Sequence, residues 1–73
     1  MMADHTFVLT REHVALCDLL KLLSIAQSGG HAKSMIAEGL VTVDGKIETR
    51  KTRKLTGGER VCAAGETVRV QAA

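Results

Sequence analysis

The chain has 73 residues, 45% hydrophobic and 25% charged, a folded protein's balance in a length that holds one small domain. Phe7 is its single aromatic residue and proline is absent, which excludes a reader of splayed bases built on a row of aromatic platforms. The net charge is only +2, yet Lys46, Arg50, Lys51, Arg53 and Lys54 face Glu48 alone within nine residues, so that segment carries +4 and the remainder −2.

Phe7 to Leu9 is a short apolar run that predicts a leading strand, with Thr10 as the N-cap of the first helix. Glu12 to Ser24 predicts that helix. Leu16, Cys17, Leu19, Leu20, Leu22 and Leu23 crowd most of its circumference, so it must be covered on more than one side and form the spine of the core. Ser28 to Glu38 predicts the second helix: Ser28 is a favoured N-cap, Ala32, Met35 and Ile36 recur on one face, and Gly39 ends it. Gly29 and Gly30 in its first turn each cost about 1 kcal/mol relative to alanine and leave the first backbone N–H groups unshielded.

From Leu40 the period changes to two. Val41 and Val43 alternate with polar residues, Asp44-Gly45 is a hairpin turn, and Ile47 and Thr49 continue the return strand. Leu55, a Gly57-Gly58 turn, a strand through Val61, an Ala64-Gly65 turn and a strand from Thr67 to Val70 complete the pattern. Two helices followed by such strands predict an α+β fold, with the helices packed on one side of a small antiparallel β-sheet. Residues 1–73 are expected to form a single domain with its core at about 14–70.

Residues 1–10 lack the basic start and long apolar run of an export signal, and no stretch reaches the roughly 20 apolar residues of a membrane span. The expectation is a cytoplasmic chain with Cys17 and Cys62 reduced and buried as small hydrophobes. His13, Cys17, His31 and Cys62 match no established zinc spacing, so no metal site and no cofactor are expected. Catalytic patterns fail as well. Ser28-Gly29-Gly30-His31-Ala32-Lys33-Ser34 lacks both the spacing of a phosphate-binding loop and a strand to feed it, and no motif places a nucleophile on a strained turn.

Anion binding remains, at two places. The start of the second helix offers free N–H groups and a positive dipole end, flanked by His31 and Lys33. Arg50-Lys51-Thr52-Arg53-Lys54 offers a basic stretch able to track a phosphate backbone. A solvated helix face and a solvated hairpin rim are the bland alternatives for these two features.

Ser28-x-x-x-Ala32-Lys33-x-x-Ile36-x-x-Gly39-x-Val41-x-Val43-Asp44-Gly45 resembles the RNA-binding domain first seen in ribosomal protein S4, the αL motif. Gly58-Glu59-x-Val61 is similar to that family's later Gly-Asp-x-Ile, so the resemblance spans Leu16 to Val70. It is nearest to small stand-alone bacterial members, through Cys17-Asp18-Leu19-Leu20-Lys21-Leu22, Ala37-Glu38-Gly39 and Glu48-Thr49-Arg50-Lys51. The pattern departs where arginine is usual: Gly29 follows the N-cap serine, Lys33 follows Ala32, and Ala15-Leu16-Cys17 replaces Arg-Leu-Asp.

The resemblance implies that the second helix and the loop beyond the hairpin face RNA together. The expected contacts are Gly29, Gly30, His31, Lys33, Lys46, Arg50, Lys51, Arg53 and Lys54, weighted toward the loop because the helix carries fewer arginines. The expected function is that of a monomeric, non-catalytic module for structured RNA (rRNA or tRNA, with the ribosome as a possible setting), with no membrane and no small-molecule substrate. The alternative is a protein-interaction adaptor whose basic loop docks an acidic partner. With about four to six phosphates engaged, the log–log salt slope is expected at about −3 to −5.

Overall fold

Alternating valines set the architecture, because side chains of period two on neighbouring strands give each strand one buried face. The structure, a computed structural model, describes residues 3–73. In chain order the elements are β1 (Ala3–Val8), β2 (Val14–Ala15), α1 (Leu16–Leu22), α2 (Gly29–Ala37), β3 (Val41–Val43), β4 (Lys46–Ile47), β5 (Lys54–Leu55), β6 (Arg60–Ala63) and β7 (Glu66–Gln71). Five strands form one sheet in the order β1-β7-β6-β3-β4, and β2 pairs with β5 in a separate two-stranded ladder. Val41, Val43, Val61, Ala63, Val68 and Val70 point to the same side of the five-stranded sheet and are all buried. They meet Leu16, Leu19 and Leu20 of α1 and Ala32, Met35 and Ile36 of α2 in one apolar cluster.

The sheet is mixed rather than purely antiparallel. β1 runs parallel to β7, pairing Phe7 with Val70, while β7, β6, β3 and β4 are antiparallel to their neighbours. The leading strand is also longer than the run Phe7–Leu9, since Ala3 to Val8 all find partners on β7. Leu9 lies beyond the strand's end, buried, with its N–H donating to the Gln71 carbonyl at 2.9 Å.

The first helix is shorter than Glu12–Ser24, and Thr10 does not cap it. Val14 and Ala15 are drawn into pairing with Leu55 and Lys54, and Ala15, in extended conformation, precedes the helix with no side-chain cap. Main-chain carbonyls cap it instead: Leu16 N–H donates to Arg53 O at 2.9 Å and Cys17 N–H to Lys51 O at 3.1 Å. The first-turn donors that a helix cannot satisfy internally are therefore met by the basic loop's own backbone. Leu16, Leu19 and Leu20 are fully buried, but Leu22 is 61% exposed, so the covering of α1 is incomplete.

α2 starts where its N-cap predicts, with Ser28 Oγ accepting the His31 N–H at 3.0 Å. The Asp44-Gly45 and Ala64-Gly65 turns each place two successive residues at positive φ, as tight hairpin loops of the primed type require. Cys17 is buried as expected. Cys62 is only half-buried, because it lies on the sheet face opposite the core with Sγ 3.6 Å from Thr67 Oγ1. Among the described residues no group of three or more His, Cys, Asp or Glu gathers to hold a metal ion, and no helix is long and apolar enough to cross a membrane.

Candidate nucleic-acid interface

The basic segment leaves β4, turns, and enters β5. Its carbonyls at Lys51 and Arg53 face the start of α1. Thr49, Arg50, Lys51, Thr52, Arg53 and Lys54 then line a shallow concavity of about 860 Å³ together with Lys33 of α2. Five cationic side chains and two hydroxyl-bearing ones form this surface, and none of the described acidic residues lines it. Lys33 reaches it because it stands on the exposed face of α2, between the buried positions Ala32 and Met35.

Glu48 lies just outside this lining and organises it. Only 7% of the residue is exposed. Its Oε2 accepts the Arg50 backbone N–H and Nε–H, both at 3.1 Å; its Oε1 accepts Arg50 Nη2 at 3.1 Å and Arg53 Nη1 at 2.8 Å. The hydrogen bonds from Arg50, then those from Arg53 and the Arg50 backbone, lower the Glu48 pKa from its ordinary 4.5 to about 2 against the opposing effect of burial. The same ion pair raises the Arg50 pKa. From sequence, Glu48 is only the one charge opposing the basic run. The usable signal is its position two residues before Arg50 and five before Arg53, where a turn folds both guanidinium groups back onto it.

The sequence-derived contacts divide into two groups. Lys33, Arg50, Lys51, Arg53 and Lys54 converge on the concavity, while Gly29, Gly30, His31 and Lys46 lie outside its lining. Lys46 is exposed on β4, opposite Val43. His31 is tied into the approach to α2, its Nδ1 accepting the Gln27 N–H at 3.0 Å. In the neutral ring that bond places the proton on Nε2, the only ring nitrogen left to donate outward. Neither Gly29 nor Gly30 has a positive φ, and a Cβ on either would meet at most Ser28 Oγ at 3.9 Å. The fold has no internal need for glycine there; what the two residues provide is an uncovered helix start. Thr49 and Thr52 do not stand out in the sequence, since hydroxyls in a polar loop carry no distinguishing pattern.

A second depression, about 700 Å³, lies between the β1–β2 connection and α1 and contains the sole aromatic, Phe7. Its charges cancel, with Arg11 and Lys21 against Glu12 and Asp18. It has neither the sign nor the uniformity to attract a polyanion, so the basic concavity is the candidate interface.

Comparison with known proteins bears on the same stretch of chain. The protein YbcJ of Escherichia coli (strain K12), named as a candidate RNA-binding protein, is 55% identical over 60 residues, 82% of this chain and 86% of its own length. The uncharacterised YbcJ of Shigella flexneri matches with the same identity and coverage. The solution structure of E. coli YbcJ, described as revealing an αL motif involved in RNA binding, is similar at a TM-score of 0.70 and 53% identity, covering 92% of this chain and 86% of that one. The model of the S4 domain family matches residues 7–71, and with nearly the whole length inside that match the chain belongs to the S4 domain family.

Proposed function

We propose that this chain is a non-catalytic RNA-binding module that recognises structured RNA, of rRNA or tRNA type, through phosphate and shape contacts. The observation that carries this reading is the convergence of Lys33 with the Thr49–Lys54 loop on one acid-free concavity. Cations spaced over a shallow surface suit a folded phosphate backbone. The only aromatic lies in the other depression, so bases have no stacking platform on the basic side. The description of the E. coli relative's motif as involved in RNA binding supports the same reading. In this reading residues 1–73 act as one domain, as a monomer in the cytoplasm, with RNA as partner either free or on the ribosome. Gly29, Gly30, His31 and Lys46 are a secondary fringe to the loop contacts.

The pairing with Glu48 governs which variants test this. Reversing Arg50 and Arg53 to glutamate would set two more carboxylates beside a buried one and disturb the loop itself. Lys33, Lys51 and Lys54 form no ion pair within 4 Å among the described residues, so the triple variant Lys33→Gln, Lys51→Gln, Lys54→Gln removes charge alone. Its RNA affinity should fall at least about tenfold at low salt, and the log–log salt slope should shrink by about three from the parent's value of about −3 to −5. Unchanged affinity and slope would remove the concavity from the interface. An acidic protein partner is the competing occupant. Nucleic acid co-purifying with the protein, seen as excess absorbance at 260 nm in a chain without Trp or Tyr, separates the two.

A further inference from the structure

Glu48 is a buried carboxylate at the base of the loop that forms the basic concavity, and every side-chain hydrogen bond it makes goes to Arg50 or Arg53 of that loop. Its backbone is fixed as well, with Glu48 N–H donating to Val41 O at 3.0 Å where the segment leaves the sheet. The carboxylate is therefore a rigid base on which Arg50 sits in a two-pronged fork and Arg53 by a single bond. Neither guanidinium is sequestered. Of five N–H donors, Arg50 commits two to Glu48 and its side chain stays 73% exposed; Arg53 commits one and stays 31% exposed. Both present their remaining donors from a fixed position.

We infer that Glu48 is a positioning residue that makes the concavity selective for folded RNA over flexible polyanions. This rests on the RNA-binding function proposed for the concavity. As a charge, Glu48 opposes every anionic ligand equally, so on charge alone its removal tightens binding to any of them. As a support, it removes the rotamer freedom of two long side chains during folding rather than during binding, and it fixes the spacing of their donors. Fixed donors favour phosphates that are themselves held in register. A flexible strand can adapt to mobile cations and gains nothing from fixed ones. Removal of Glu48 therefore has opposite net results: flexible ligands feel only the lost repulsion, whereas folded ones also lose the fixed donors.

The test compares Glu48→Gln with the parent chain on two probes, unfractionated tRNA and an oligouridylate of matched charge, with a circular-dichroism melt to establish folding. Glu48→Gln should bind oligouridylate as tightly as the parent or more so, while its tRNA affinity falls about tenfold, so that the ratio between the probes collapses. Arg50→Lys keeps the net charge and the carboxylate but loses the fork, and it should lose tRNA affinity without gaining any for oligouridylate. Equal tightening on both probes by Glu48→Gln, no change on either, or parental tRNA binding by Arg50→Lys overturns the inference. In the free protein, nitrogen-15 NMR should find the Arg50 Nε–H protected from exchange in the parent and not in Glu48→Gln; an unprotected parental Nε–H overturns the inference without reference to RNA. If the parent binds neither probe, nor purified rRNA, the RNA-binding reading fails and the selectivity with it, while a protected Nε–H still establishes the support of the arginine.

Discussion

Glu48 and Glu59 are the two buried carboxylates among the described residues, and each is held by an adjoining turn. Burial pushes the Glu59 pKa up, but N–H bonds from Thr56, Gly57 and its own backbone outweigh it and leave the group below the usual carboxylate range. Glu48 is lowered further, to about 2, by Arg50 and Arg53. A carboxylate whose pKa is depressed in the folded state contributes stability that is full above its unfolded pKa and lost as pH falls toward the folded one. The melting temperature of the parent should therefore exceed that of Glu48→Gln by a constant margin near neutrality. The margin should narrow as pH falls from 4.5 toward 2, where the parent's carboxylate itself takes up a proton. A margin independent of pH across that window would mean that the ion pairs contribute nothing in solution. Gly57 is a second single-residue dependence. Its φ is +118°, and a Cβ there would lie 2.7 Å from the Ala72 backbone nitrogen. Gly57→Ala should cost about 1–3 kcal/mol in a denaturant titration, from backbone strain and displacement of the C-terminal residues.

Among the elements, the Ala64-Gly65 turn is the least well matched to its sequence. Ala64 holds φ 51°, a left-handed conformation that costs a residue with a Cβ roughly 1–2 kcal/mol. Asp44 fills the equivalent place in the other hairpin with φ 53° and adds a bond from the Arg60 N–H to its carboxylate at 3.0 Å. Ala64→Asn should accordingly stabilise the chain by about 0.5–1 kcal/mol, read as a rise in melting temperature of about 2–8 °C. Elements with local signals are readable in advance: α2 from Ser28 and Gly39, and both hairpins from their turn dipeptides. Those fixed by distant partners are not. Nothing around Thr10–Ala15 announces that Val14 and Ala15 will pair with Leu55 and Lys54, so the apolar run of α1 reads as a longer helix than it forms. The parallel pairing of β1 with β7 joins the two ends of the chain and leaves no mark on the intervening residues. At the candidate site the cations are legible from charge clustering, whereas the support beneath Arg50 and Arg53 requires knowing how the turn folds.

For the molecule as a whole, a net charge of +2 is a poor guide, because the positive charge is concentrated on one part of the surface. The basic concavity lies on the loop between β4 and β5 and on α2, and the balanced depression lies between α1 and the β1–β2 connection. The loop also reaches into the core through its backbone. Its carbonyls at Lys51 and Arg53 are the acceptors for the Cys17 and Leu16 amides, and both of those residues are buried. Those two amides cannot meet solvent unless the loop lifts away from the helix. Their hydrogen–deuterium exchange thus clocks the opening of the surface from inside the molecule, at positions a ligand on the concavity does not touch. Any partner that clamps the loop shut slows that clock, whatever its own spectroscopic properties.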